Sequence, residues 1–143
     1  MTSNNKLAKA DFEALSEFRY QLRRFLRFSE DIAQGEGLTP LQYQLLLHLK
    51  GYPGREWATV GELAERLQAQ HHGVVALVSR CEKAGLVART PGTSDRRQIE
   101  VSLTALGQQC VARLAELHHK ELNSLSQIFK VANISAFNDS SEA

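Results

Sequence analysis

Cysteine is scarce in this chain: Cys81 and Cys110 are the two among 143 residues. Two thiols cannot make a disulfide framework, so the fold has to be held by an ordinary apolar core. No apolar run approaches the ~20 residues that a membrane-spanning helix needs. Nor does a charged n-region with an apolar h-region precede the first periodic segment, so a soluble, cytoplasmic protein with no membrane partner is expected. Excess charge is missing as well. Lys and Arg total 17 against 16 Asp and Glu, a net +1, so any binding to a polyanion must come from a local patch. Internal repeats and low-complexity segments are absent, which excludes solenoids and arrays. A Gly-rich phosphate loop, a zinc-hydrolase motif and a nucleophile elbow are also lacking, so an enzyme is not expected. The length suits one structural unit, and the polar edges at 1–5 and 138–143 read as disordered.

Helical periodicity dominates what is present. Between about residues 8 and 34, Leu15, Phe18, Leu22, Phe25 and Ile32 recur at helical spacing, with Ser29 at the vacant heptad place. Phe12, Leu26 and Phe28 add apolar surface outside that seam, to be covered either by a partner chain or by the protein's own core. Gly35 and Gly37 end this helix. Thr39-Pro40-Leu41-Gln42 is a capping box with proline at the first helical position, and Leu41, Leu45, Leu46 and Leu49 are the expected buried face of the helix it opens.

The organising stretch runs from residue 59 to 107. Thr59-Val60-Gly61-Glu62 is a second capping box, opening a short helix whose Leu63, Ala64 and Leu67 point inward. Gln68-Ala69-Gln70 reads as a turn. In the helix that follows, to about Ala84, Val74, Leu77, Val78 and Cys81 share the core face. The complementary face carries Gln70, His71, His72, Val75, Ala76, Ser79, Arg80 and Lys83. Gly85 stands past the helix end, and a strand begins at Leu86-Val87-Ala88-Arg89. Residues 90–94, which include Pro91 and Gly92, are expected to stay out of the sheet as a wing tip. Residues 98–103 return as the second strand, with Ile99, Val101 and Leu103 inward. Trp57-Ala58 reads as a short third strand, and Thr104 caps a last long helix with a break somewhere between residues 123 and 137. The layout predicts a mainly α fold with a small β wing, a winged helix-turn-helix. It offers DNA a helix for the major groove and a basic hairpin tip for the neighbouring groove. Arg80, Lys83, Arg89, Arg96 and Arg97 face only Glu82 and Asp95 between residues 80 and 97, a local balance of five cations against two anions, or +3.

In order and spacing these segments resemble the MarR family of winged-helix transcriptional regulators. The likeness is carried by Leu38-Thr39-Pro40 with Leu45-Leu46, by Glu62-Leu63-Ala64 with Leu67, and by the run from Leu77 to Arg89. It continues with Asp95-Arg96-Arg97 and with the run from Val101 to Gly107. The resemblance implies a homodimer joined through dimerisation helices at 8–34 and 105–137, around a DNA-binding lobe at 38–104. It also implies a repressor on a pseudo-palindromic double-stranded operator, its recognition helices about 34 Å apart. Residues 70–84 would be the recognition helix, and Arg97 the minor-groove arginine, gaining from shape and potential without a base-specific edge. Arg96 is placed at phosphate, and Asp95 is expected to hold Arg97 or Arg80. The reading face departs from the family pattern at His72, Gly73, Val75 and Ala76. Val75 and Ala76 can touch thymine methyls. Direct readout then falls to Gln68, Gln70, His71 and His72, with Ser79 and Arg80 at phosphates.

The same resemblance implies release of DNA by a small aromatic or phenolic acid. Arg19, Tyr20 and Arg23 are candidates to meet the anion, with Tyr43, His48 and Trp57 as wall residues, against the alternative of solvated arginines and core aromatics. Redox sensing is disfavoured because the first helix lacks cysteine, while Cys81 and Cys110 read as small core hydrophobes. Metal sensing is disfavoured because neighbours such as His71-His72 and His118-His119 point about 100° apart on a helix. His118 reads instead as a hydrogen-bonded interruption of an apolar stripe, and no cofactor is expected. A redox- or metal-responsive regulator and a winged helix used for protein contacts are the alternatives.

Overall fold

Two threonines decide where the central helices begin. In the computed structural model, which describes residues 6–131, Thr39 Oγ1 accepts the Gln42 amide at 3.2 Å, and the Gln42 side chain accepts the Thr39 amide at 2.9 Å. The same reciprocal pair recurs between Thr59 and Glu62 at 3.2 and 2.9 Å. Each box satisfies two amides that a helix start otherwise leaves without partners. The element order is α1 (Lys9–Gly35), α2 (Pro40–Lys50), β1 (Trp57–Ala58), α3 (Val60–Leu67), α4 (His71–Lys83), β2 (Val87–Pro91), β3 (Ile99–Leu103) and α5 (Ala105–Val131). The short strand expected at residues 57 and 58 is therefore present. The fold is the mainly helical winged type, with one antiparallel sheet in the order β1-β3-β2. Trp57 lies opposite Ser102, and Val87 opposite Leu103.

The chain divides into two compact units. Among the described residues one holds 6–31 together with 118–131, and the other is Ile32–Leu117. In the second unit Leu45, Leu46 and Leu49 of α2, Leu63 of α3, and Val74, Leu77, Val78 and Cys81 of α4 are buried around Val101, Val111 and Leu114. The helical spacing of the α4 residues thus marks its core face as expected. Gly85, at φ 79°, turns the chain out of α4, and Thr104 Oγ1 accepts the Gly107 amide at 3.0 Å to start α5. In the first unit His118 is buried on α5, its Nε2 lies 2.8 Å from Ser29 Oγ, and the rings of Phe25 and Phe28 meet it edge-on. Ser29, the gap in the apolar heptad, is the hydrogen-bonding partner of the polar interruption on α5.

Several expectations need correction. Leu41 is 48% exposed, and Tyr43 is buried in its stead, because α2 opens at Pro40 and its first turn lies at the rim of the core. Ile99 is 41% exposed, since β3 meets the core only from Val101 onward. Thr90 and Pro91 pair with Glu100 and Ile99 inside the sheet instead of forming the tip. Proline is tolerated there because β2 is an edge strand, and the bond from the Gly92 amide to Gln98 O at 2.7 Å makes 91 and 99 a non-hydrogen-bonded pair. Helix α5 is continuous to Val131; residues 132–137, the remainder of the stretch read as broken, lie outside the described residues, as do the edges 1–5 and 138–143.

Candidate nucleic-acid interface

The turn between α3 and α4 depends on Gln68, which adopts a left-handed backbone at φ 52° without being glycine. Its amide caps α3 by donating to Ala64 O and Glu65 O, and its side-chain Nε2 donates to Glu65 O at 2.7 Å and to Glu65 Oε1 at 3.2 Å. These bonds offset the cost of a conformation that L-residues rarely adopt. They also commit the amide nitrogen of a residue expected to read bases, leaving its Oε1 as the free acceptor. Gln70, the N-cap of α4, makes no side-chain capping bond, and His71, His72, Gly73, Val75, Ala76 and Arg80 are exposed along α4 while its other face is buried. Around Gly73 a Cβ would meet nothing within 4 Å.

At the wing tip the chain folds on itself. The Gln98 amide donates to Asp95 O at 3.0 Å, and Asp95 Oδ1 accepts the Arg97 amide at 3.0 Å. Arg97 Nε stands 3.5 Å from the same carboxylate oxygen, so of the two arginines considered for Asp95 it is Arg97 that is held. The Arg97 side chain is nevertheless 94% exposed, so the pair orients it with little shielding. Buried Gly92 is required by the bend, because a Cβ there would lie 2.5 Å from Asp95 O. Its signal in the sequence was only that of a turn glycine. A recess of about 350 Å³ separates the start of α4 from the wing, and it is lined by His71, Val75, Arg97 and Ile99. Ile99 was missed as a surface residue because strand alternation alone placed it inward.

Arg89 does not share the freedom of Arg97. Its guanidinium is bound to Glu82 at 2.9 Å and to Ser79 Oγ at 3.1 Å, both on α4. The hydrogen bonds from Arg89 hold the Glu82 carboxyl below the usual carboxylate range. Ser79, expected at a phosphate, thus already accepts a bond from within the protein. A second cationic cluster also went unanticipated. Arg55 lies 3.8 Å from the Trp57 ring and 4.5 Å from the Tyr52 ring, and it pairs with Glu62. Partial burial pushes the Glu62 carboxyl up, but hydrogen bonds from Thr59, Tyr52 and Arg55 together hold it below its ordinary value.

Arg19, Tyr20 and Arg23 are exposed on α1, in the first unit, while Tyr43, His48 and Trp57 belong to the second. Tyr43 is a core residue whose burial pushes its phenol up. Burial first, and the charge of Arg66 second, lower the His48 pKa. Trp57 is covered by Arg55. Burial pushes the Cys81 thiol up to about 11 and raises Cys110 as well, the opposite of what a reactive thiolate needs. Among the described residues no three of His, Cys, Asp and Glu are grouped to hold a metal ion, and no helix is long and apolar enough to cross a membrane.

Residues 36–98, the span from the approach to α2 through the wing tip, match the model of the MarR family. The HTH-type transcriptional repressor MdtR of Bacillus subtilis is 39% identical over 72 residues, which is 50% of this chain and 44% of MdtR. The transcriptional activatory protein BadR of Rhodopseudomonas palustris is 32% identical over 117 residues, 80% of this chain and 67% of BadR. The chain therefore spans about half the length of MdtR and two thirds of BadR. Among solved structures, AbsC, a MarR family transcriptional regulator from Streptomyces coelicolor, superposes with a TM-score of 0.69 at 24% identity, covering 96% of this chain and 88% of AbsC.

Proposed function

The chain belongs to the MarR family of winged helix-turn-helix transcriptional regulators, and from that premise we propose that it is a homodimeric repressor of a neighbouring gene. On this reading it sits on a pseudo-palindromic operator, with one α4 and one wing per half-site, and a small aromatic acid releases it. The observation that carries the reading is the division of labour on α4 and the wing. One face of α4 is buried, its other face presents polar and small residues to solvent, and the wing tip offers an oriented, exposed Arg97. In the proposed complex Gln70, His71 and His72 read base edges together with the remaining acceptor of Gln68. Val75 and Ala76 meet thymine methyls, Arg80 and Arg96 take phosphates, and Arg97, oriented by Asp95, enters the minor groove.

MdtR is named a repressor and BadR an activatory protein, so the sign of regulation rests on promoter occupancy and is tested with a reporter gene. The deciding experiment is a titration of duplex DNA from the region upstream of its own gene over a range of salt, with and without aromatic acids. Affinity is expected to fall steeply with salt through counterion release, and Arg97→Ala to weaken binding and reduce the slope by about 1. Replacing His71 and His72 by Ala is expected to erase preference for the upstream duplex over random DNA. A flat salt response would favour a winged helix used for protein contacts. Aromatic acids that change neither DNA release nor thermal stability would remove effector control from the reading.

A further inference from the structure

One arginine ties the wing to the recognition helix. Arg89, on β2, donates from Nη2 to Glu82 Oε1 at 2.9 Å and to Ser79 Oγ at 3.1 Å, and from Nε to Glu82 Oε1 at 3.3 Å. Its backbone amide also faces Glu82 Oε2 at 3.3 Å. Ser79 and Glu82 stand three places apart on α4, hence on one face, so a planar fork can take both acceptors at once. A lysine ammonium, a single point charge on a flexible stem, cannot reproduce that arrangement. The two charged side chains are 32% and 40% exposed, well short of the 94% of Arg97. Arg89 pairs with Val101 of β3, and the connection between these two strands carries Asp95, Arg96 and Arg97. Among the described residues no other ion pair joins the wing to α4.

We propose that Arg89 is a positioning residue and not a DNA contact: with Glu82 and Ser79 it forms a charge-neutral clamp that sets the wing against α4, so that Arg97 and the reading face engage the same half-site. The inference rests on the DNA-binding reading above, and it runs against simple electrostatics. Glu82 is an anion on the face that meets a polyanion, so its removal alone should tighten binding. If it serves the clamp, its removal should weaken binding.

The test uses the full chain and the same upstream duplex, with Glu82→Ala, Arg89→Lys and Arg97→Ala compared by salt titration. Amide hydrogen exchange across residues 87–103 is followed in the absence of DNA. The clamp predicts that Glu82→Ala and Arg89→Lys each weaken binding by about tenfold, the effect of misplacing one interface arginine, with no change in salt slope. Exchange in the wing should quicken in both. Arg97→Ala should lower the slope and leave wing exchange as it was. Tighter binding by Glu82→Ala, or a slope steeper by about 1, would mean that the freed Arg89 takes a phosphate, and the clamp would be overturned. Full affinity in Arg89→Lys would overturn it equally. If the unaltered protein shows no salt-dependent binding, the DNA reading fails. The exchange measurement then still decides the clamp, since unchanged wing exchange in both variants rejects it.

Discussion

Gly73 stands where a recognition helix would ordinarily carry a side chain, and the space around it is empty. Nothing in the fold therefore requires glycine there, and the helix is weaker for having it. Gly73→Ala is expected to raise stability by about 0.5–1 kcal/mol in denaturant unfolding. If α4 lies with its backbone close against the groove, the same substitution lowers affinity for the upstream duplex, so stability and binding move in opposite directions. A gain in both would show that Gly73 makes no close approach. Cys81 gives a second test at this scale. Its thiol ionises at an ordinary 9.0 when free and at about 11 in the fold, so the folded state keeps its proton longer than the unfolded chain. Its contribution to stability is whole below pH 9.0 and is lost as pH rises towards 11. Thermal unfolding of the native protein should show this loss, and Cys81→Ala should show less of it. That Cys81 is core was legible from its helical spacing to Val74, Leu77 and Val78. That Arg89 is bound to Glu82 was not, because the pairing crosses from a helix to a strand and depends on how the two pack.

Elements that are specified by local chemistry were readable; those specified by their neighbours were not. Both capping boxes lie within four consecutive residues, so the starts of α2 and α3 could be named from sequence. The wing tip differs. Pro91 looked incompatible with a sheet, and only the strand order, which leaves β2 at an edge, makes it acceptable. Gly92 looked like one more turn residue, yet a Cβ there would collide with Asp95 O at 2.5 Å. Gly92→Ala is expected to displace the turn that aims Arg97. DNA affinity should fall about as far as in Arg97→Ala, while the unfolding temperature changes little because the tip buries little apolar surface. A variant with unaltered affinity would show that the tip conformation does not matter for binding.

At the scale of the molecule, α1 leaves a row of apolar side chains uncovered in the single chain, Phe12 at 54% and Leu26 at 47% exposed among them. Single exposed hydrophobes mean little, but on the homodimer reading proposed above a row along one long helix is the surface that the second copy covers. On the homodimer reading, Leu26→Glu should shift the sedimentation coefficient from dimer to monomer. It should also weaken binding to a two-half-site duplex far more than to a single half-site, since linkage of two recognition helices supplies much of the affinity. A Leu26→Glu protein that stays dimeric would move the interface elsewhere.

What the sequence determined by itself was periodic and local: which helices exist, where two of them start, which face of α4 is core, and that a basic hairpin follows it. These follow from side-chain spacing and from hydrogen bonds closed within a few residues. The tertiary structure decided which charges are free. Arg89 is neutralised by Glu82 and shared with Ser79, Arg55 is stacked on Trp57, and Arg97 is left exposed with Asp95 at its base. Composition counts all of these arginines alike, whereas a guanidinium's availability to DNA depends on which carboxylate or ring the folded chain brings within reach.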